Sequence, residues 1–439
     1  MLKLGKTKLP HNKQTANMAA VQMPAPAVVT IPMVHQIGSA AIPCVKAGDK
    51  VFVGTKIANA DGVVSASIHS SISGTVKKID SFLTSDGFSC PTVIIESDGE
   101  MALDPSLKAP TTSNIEEFYL AIRESGLEGL GGADFPTAVK LEAENKGLIK
   151  KIIINATECE PFVTADNRTM IEDFDHIKKG VEVLEKFISA EEIIIGIDEE
   201  KTEAISVMKN TFASDSKVRI EILPSLYPQG EDKVIVYNTT GLVVPEGGYA
   251  HQVGCAVINV TTVAFIGHYF ETGMPLVWKR ITVDGSAVKE PKNLIVPVGT
   301  PIADVLNFAG GISEDLGKVL YDGPMKGVAI YSLNDPILKN TTAIVALTSA
   351  EAAPTVKYPC IHCGRCVTAC PMSLNPTAIS KAMRVEDKDD RHARLEAACI
   401  DTCTECGSCS FVCPSRRPLG EVIKFAKSEL ALARSHKTN

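Results

Sequence analysis

Eight cysteines near the C-terminal end carry the plainest chemistry of this 439-residue chain. Cys360, Cys363, Cys366 and Cys370 are followed by Pro371, and Cys403, Cys406, Cys409 and Cys413 repeat the spacing ahead of Pro414. Each run reads C-x2-C-x2-C-x3-C-P, the ferredoxin pattern for a 4Fe-4S cluster. Three thiolates so close in sequence wrap one cubane, while the fourth is carried away by the next segment to reach the other. The spacing therefore predicts two clusters, one on Cys360, Cys363, Cys366 and Cys413, the other on Cys403, Cys406, Cys409 and Cys370. Structural zinc also takes C-x2-C pairs, but zinc needs four ligands, and two triplets with trailing Cys-Pro suit it poorly. Of the 13 cysteines, Cys44, Cys90, Cys159, Cys255 and Cys399 are left over. An odd, scattered remainder argues against a disulfide framework and for a reducing compartment. Buried thiols are the plain reading of them. Cys399 is expected one helical turn from the second run, as a spare and not a ligand.

A second group of residues suits a phosphate-bearing ligand. The chain reads Gly126-Leu-Glu-Gly129-Leu-Gly131-Gly132-Ala-Asp-Phe135-Pro136-Thr-Ala-Val-Lys140. Glycines let backbone amides approach an anion without a Cβ in the way, and Pro136 favours a helix start. The amides of such a start, with the Lys140 ammonium, would face a phosphate. The loop matches neither the P-loop nor the Rossmann fingerprint, and an ordinary Gly-rich turn capping a helix stands beside the phosphate reading. A strand over Lys151 to Ile154 delivers Asn155-Ala-Thr-Glu158-Cys-Glu160-Pro161 to its C-terminal end, where α/β folds hold ligands. An amide and two carboxylates there suit ribose or nicotinamide polar groups; a solvated turn is the alternative. Tyr227-Pro-Gln-Gly230-Glu231-Asp232 offers a turn and an acidic helix start. Gly254-Cys-Ala-Val-Ile-Asn259-Val-Thr-Thr262 is an apolar segment ending in amide and hydroxyl groups.

The elements that must position these groups are those of a folded, multidomain chain. Hydrophobic residues make up 45% and charged residues 22%, and the length suits three or four domains. A net charge of -8 leaves no electrostatic footprint for nucleic acid. Residues 1–13 lack the apolar core of a secretory signal, and no run of apolar residues is long enough to span a bilayer. From Val28 to Glu96 short alternating runs read as small β-structure. Within them Val45-Lys-Ala-Gly-Asp-Lys-Val and Ser71-Ile-Ser-Gly-Thr-Val76 resemble the barrel-sandwich hybrid of biotinyl and lipoyl carriers. Those carriers hold a modified Lys on a hairpin; Asn59-Ala-Asp-Gly-Val63 has none, so a structural or docking role is expected. A helix over 170–187, a strand over 192–197 and a helix over 199–212 continue a βαβα alternation, hence a three-layer α/β domain. From Lys279 to about Leu333 a small α+β unit is expected, with strands at 281–283 and 294–298, a helix at 301–308, and no constellation of polar groups. A linker over Ala353 to Lys357 leads to a helical region around the cysteines. Its tail puts Leu419, Val422, Ile423, Ala426, Leu430 and Ala433 on one face, to pack on that region.

The combination of Gly131-Gly132-Ala-Asp-Phe135-Pro-Thr-Ala-Val-Lys140, Asn155-Ala-Thr-Glu-Cys-Glu-Pro161 and the double cysteine run resembles the flavin-bearing NADH subunit of respiratory complex I. It is more similar still to the C subunit of the Rnf complex, because complex I holds a single cluster here. The resemblance implies a multidomain α/β chain: a barrel-sandwich hybrid at 28–98, an FMN/NADH-binding α/β domain at 112–275, a β-grasp domain at 276–350, and a helical domain with two 4Fe-4S clusters at 355–439. It implies a peripheral subunit at the cytoplasmic face of the cell membrane, beside membrane and iron-sulfur partner subunits, coupling ferredoxin and NAD(H) redox exchange to ion translocation. By the same likeness Gly129, Gly131, Gly132 and Lys140 would hold the FMN phosphate, and Asn155, Glu158, Asn259 and Thr262 its other polar groups. Phe135, Glu160, Gly230 and Glu231 would line the NAD(H) site. No side chain need act as acid or base. Leu130, Thr157 and Ile258 stand where complex I has Arg, Asp and Asn. A stand-alone flavin and iron-sulfur reductase of the cobalamin-reductase kind shares the architecture and is the alternative, as is a non-enzymatic iron-sulfur relay.

Overall fold

The runs Ile152-Ile153-Ile154 and Ile193-Ile194-Ile195 are apolar on both faces, as strands covered on both sides of a parallel sheet must be, and all six side chains are buried. The computed structural model describes residues 5–34, 38–83, 87, 89–132, 135–145 and 149–437. Its central sheet is parallel, with Val218–Leu223, Glu192–Asp198, Lys151–Ala156 and Cys255–Asn259 side by side in that order. Numbered along the chain, the order is third, second, first, fourth, so the winding reverses between the first and fourth strands. Helices cover both faces. Phe174–Phe187, Thr202–Thr211 and Val260–Thr272 share one core with Ile152, Ile154, Ile193 and Ile195. Asp232–Thr240 shares another with Ile153 and Ile194. The helices Phe174–Phe187 and Val260–Thr272 approach so closely that a Cβ on Gly267 would stand 2.0 Å from the His176 carbonyl oxygen.

The helix expected over 170–187 is two, Ala165–Glu172 and Phe174–Phe187. The break falls where Glu172 and Asp173 both turn to Arg280, the latter at 2.7 Å. A distant guanidinium thus outweighs the local helical pattern.

The segment ahead of this domain forms two small antiparallel sheets: Val28–Pro32, Ser89–Ser97, Gly74–Leu83 and Lys50–Val51 in one, and Ile42–Pro43, Lys56–Asn59 and Ile68–His69 in the other. They enclose one core of Val29, Ile31, Ile57, Ile68, Val93 and Ile95. This is the barrel-sandwich hybrid. After the α/β domain comes a six-stranded mixed sheet, ordered Ala20–Gln22, Lys292–Pro297, Trp278–Asp284, Ala343–Thr348, Leu316–Tyr321 and Val328–Ala329, with the helix Ile302–Phe308 packed on it.

The first strand of that sheet comes from the far end of the chain. Residues 5–22 form a strap. Gly5 lies against Cys370, Thr7 exchanges backbone hydrogen bonds with Tyr227 at 2.8 Å each way, and Asn293 Nδ2 donates to the Thr15 carbonyl at 2.8 Å. Ala20–Gln22 then pairs parallel with Lys292–Pro297. Elsewhere three units meet on one buried ion pair. Lys339 Nζ donates to the carbonyls of Ser67 and Gly126 at 3.0 and 2.9 Å and lies 3.3 Å from Glu128, both side chains being 1% exposed.

The cysteine region is helical. Pro376–Ala382, Lys388–Ala397 and the tail helix Leu419–Lys437 close a core of Ile379, Leu395, Ile400, Ile423, Ala426 and Leu430. The tail therefore packs on this region, as expected; Val422 and Ala433 lie at the edge of its buried face.

Candidate cofactor site

Ligands of open α/β sheets bind beyond the strand ends where the winding reverses. Here that point lies between Lys151–Ala156 and Cys255–Asn259, where Asn155 pairs in register with Asn259. A cavity of about 230 Å³ at this point is walled by Gly129, Gly131, Gly132, Phe135, Lys140, Asn155, Gly230, Glu231, Asn259 and Thr262. A larger one of about 800 Å³ shares Gly131, Gly132, Asn155, Gly230, Glu231 and Asn259 and adds Glu158 and Glu160. The structure thus gathers all the nucleotide-site residues expected from the sequence around adjoining spaces.

Several are held by definite partners. Asn259 starts the helix Val260–Thr272: its Oδ1 accepts from the Thr261 and Thr262 amides at 2.9 and 3.2 Å, and its Nδ2 donates to Asp166 at 2.7 Å. The Thr262 hydroxyl accepts from the Leu130 amide at 3.0 Å, and Lys279 Nζ donates to the Leu130 carbonyl at 2.6 Å. Leu130 is buried, so this apolar residue anchors the glycine loop from below. On the loop, a Cβ at Gly131 would stand 2.8 Å from Asn259 Nδ2, whereas at Gly132, φ +81°, no described residue comes within 4 Å of that position. The loop therefore rests on Asn259 and leaves open space beside Gly132, the cradle a phosphate needs. Lys140, at the same cavity, lies 3.2 Å from Asp232. Burial opposes its charge, but Asp232 and Glu144 outweigh burial and raise its pKa. Asn155 Nδ2 donates to the Gly230 carbonyl at 2.8 Å, and its Oδ1 accepts from the Thr157 hydroxyl at 2.9 Å.

The two glutamates differ. Glu158 sits in the left-handed region at φ 40°. Its carboxylate accepts from the Asp166 and Asn167 amides at 2.6 and 3.2 Å, capping the helix Ala165–Glu172, and pairs with Lys201 at 3.0 Å with only 4% exposure. Glu160 is less satisfied. Its Oε1 accepts from the Met325 and Lys326 amides at 3.1 and 2.8 Å, while Oε2 is buried with no hydrogen-bond partner among the described residues. Burial pushes its pKa up to about 7, against the Lys326 amide and ammonium and with the help of Asp322.

Other residues at the site escape sequence reasoning. Lys326 walls both cavities and lies 3.6 Å from Glu231. It arrives on Asp322-Gly-Pro-Met-Lys-Gly327, the turn after Leu316–Tyr321, so the six-stranded unit does supply polar groups to the site, contrary to expectation. The Gly-Pro and Gly of that turn are the available signal. Asp166, bound by Asn259 and by the Thr261 hydroxyl at 2.6 Å, has its pKa pushed up to about 6 by burial and then by Glu158. From the strap, Lys13 Nζ donates to the Glu158 and Val163 carbonyls at 2.6 Å each, and burial pulls its pKa down to about 8.

The thiols form two groups. Cys360, Cys363, Cys366 and Cys413 wall one cavity of about 220 Å³. The Cys409 thiol is pushed up to about 12 by burial and then by Cys403, Cys406 and Cys370, which are its neighbours in the other group. The repeated spacing builds a repeated backbone: His362 and Gly364 take φ 56° and 75°, and Glu405 and Gly407 the same two values. In each loop this turns an amide onto the leading thiol, His362 N to Cys360 Sγ and Glu405 N to Cys403 Sγ, both 3.4 Å. The Leu374 amide does the same for Cys370 at 3.3 Å. Amide donors at sulfur suit thiolates bound to iron, so these residues fit two clusters. None of the thirteen cysteines is in a disulfide. Cys399 belongs to neither group: it faces Glu246, whose carboxylate raises its pKa.

Family models match in the same order: the RnfC barrel sandwich hybrid domain over 4–100, the Nuo51 FMN-binding domain over 122–268, the SLBB domain over 280–329, and the 4Fe-4S dicluster domain over 357–416. The C subunit of the proton-translocating ferredoxin:NAD(+) oxidoreductase complex of Clostridium ljungdahlii is 39% identical over 84% of this chain and 81% of its own length. The chain belongs to the RnfC family. Other members are the C subunit of the Na(+)-translocating ferredoxin:NAD(+) oxidoreductase complex of Acetobacterium woodii, 35% identical over 81% of each chain, and that of the ion-translocating oxidoreductase complex of Rhodobacter capsulatus, 34% identical over 86% of this chain and 74% of that one. Among the described residues of this RnfC family member, no helix is long and apolar enough to cross a membrane.

Proposed function

We propose that this chain is the NAD(H)-exchanging subunit of a membrane ferredoxin:NAD oxidoreductase, peripheral at the cytoplasmic face, with FMN and nicotinamide nucleotide in the switch-point cavities and a 4Fe-4S cluster on each cysteine group. The observation that carries the reading is the reach of the larger cavity: its wall runs from the glycine loop to Glu405 and Lys424, which belong to the cysteine region. When bound, FMN takes electrons in pairs and releases them singly, as a nucleotide and clusters together require. The chain's residues hold and orient. Gly131 and Gly132 offer amides to the phosphate, with Lys140 as the nearby charge. Asn155 and Asn259 brace the floor, and Glu158 shapes it through the helix it caps. Phe135, Gly230 and Glu231 border the nucleotide, while Glu160 and Lys326 bring an unpaired carboxyl oxygen and a cation. The division at 28–98, 112–275, 276–350 and 355–439 follows from the same reading. Anaerobic purification, reconstitution with iron and FMN, and assay of NADH-dependent dye reduction test it. Folded, iron-loaded protein with neither bound flavin nor NADH-dependent reduction would sink the proposal.

A further inference from the structure

Of the two cysteine groups, one is tied to the wall of the nucleotide cavity by a buried phenol. Tyr227 walls the larger cavity, and its hydroxyl donates to the Cys406 carbonyl at 2.6 Å. Its ring packs with Leu9 and Cys406 against Cys159 and Met325. Its backbone is pinned on the other side by Thr7, while Gly5 of the same strap lies so close to Cys370 that a Cβ would stand 2.3 Å from the Cys370 carbonyl oxygen. Gly407, next to Cys406, packs as tightly on Met325, at 2.6 Å by the same measure. Glu405 completes the contact from within the Cys403–Cys409 loop. The other group faces outward: Cys363 is exposed and Ile361 beside it is 66% exposed, and no residue of the Cys360–Cys366 loop walls the nucleotide cavity, whereas Glu405 of the Cys403–Cys409 loop does.

We propose that Tyr227 is the positioning residue that holds Cys406 against the nucleotide cavity, making Cys370, Cys403, Cys406 and Cys409 the inner group and Cys360, Cys363, Cys366 and Cys413 the outer. This rests on the nucleotide and flavin reading given above. NADH gives up two electrons and one proton on becoming NAD+. Flavin, when bound, would take the pair as hydride, and a cluster on the inner group would accept the electrons singly, passing the first to a cluster on the outer group before accepting the second. Each cluster ends one electron richer, and the proton goes to water.

The test uses the full chain, reconstituted anaerobically with flavin and iron, and counts reduced clusters by EPR. Cys409→Ala is expected to leave the outer cluster reducible by dithionite but to slow its reduction by NADH at least tenfold. An outer cluster that fills from NADH at the wild-type rate in this variant overturns the order. Tyr227→Phe keeps the ring and loses only the donor to Cys406. In a dithionite titration it is expected to shift one cluster's midpoint by up to tenfold in the one-electron equilibrium, about 59 mV, and to leave the other in place. The shifted signal should be the one missing from Cys409→Ala; if that variant loses both clusters, Cys409→Ser assigns the signal by its altered g values. Equal shifts, or none, overturn the role of Tyr227. Wild-type protein with both clusters and flavin in place whose flavin stays oxidised in excess NADH would refute the nucleotide reading instead. The titration, which uses no nucleotide, still decides the contact.

Discussion

Replacing Glu160 by Gln should change how stability responds to pH. Gln keeps the oxygen that accepts from Met325 and Lys326 and puts a neutral amide where Oε2 is buried without a partner. The carboxyl titrates near 7 in the folded protein against an ordinary 4.5. Between those values the folded chain holds a proton that the unfolded chain releases, so stability falls as pH rises through the window and is flat above it. A shift of that size corresponds to at most about 3 kcal/mol. The buried amide of Gln costs the same at every pH, so the comparison is of slopes. Thermal midpoints of cofactor-free protein, read at pH 5 and pH 8 from the fluorescence of the single tryptophan, Trp278, supply them. The variant is expected to gain about 1–3 kcal/mol on wild type between the two pH values, at about 2–4 °C per kcal/mol. Parallel profiles would refute the assignment of a buried, half-satisfied carboxyl.

Three further outcomes are expected. Glu160→Ala should weaken NADH-dependent dye reduction while iron content, measured by chelation, stays at the wild-type level. Lys339→Met removes the ammonium from a pair whose side chains are both 1% exposed and should cost about 3–5 kcal/mol in urea unfolding; adding Glu128→Gln should recover part of it. Gly267→Ala would drive a methyl to 2.0 Å from the His176 carbonyl oxygen; forcing the two helices apart should cost about 1–3 kcal/mol, seen as a lower thermal midpoint with the glycine loop unaltered.

What can be read from residues alone follows the range of the forces involved. Each cysteine triplet spans only seven positions, Cys360 to Cys366 and Cys403 to Cys409, so local spacing carries its geometry. The isoleucine runs at 152–154 and 193–195 likewise declare doubly covered strands. The broken helix at Asp173 is hidden, because its cause is Arg280, 107 positions away. Tyr227 reads as part of a turn; its partner Cys406 lies 179 positions on. Glu158 reads as a free carboxylate, since nothing near it in sequence announces Lys201 or the amides of the helix it caps. Leu130 looks like a departure from a ligand-binding pattern and is a buried anchor whose amide and carbonyl are held by Thr262 and Lys279.

The strap of residues 5–22 has a consequence in time. Its Thr15 carbonyl waits for Asn293, 278 positions later, and at about 5–20 residues per second a ribosome needs roughly 15–55 s to supply it. Until then the barrel-sandwich and the parallel sheet can form, and Lys13 and Thr7 can reach Glu158 and Tyr227, but Ala20–Gln22 has no strand to join. Gly5 waits longer still, for Cys370, 365 positions on. The strap can therefore dock only in the order its partners are made, from the parallel sheet first to the cysteine region last.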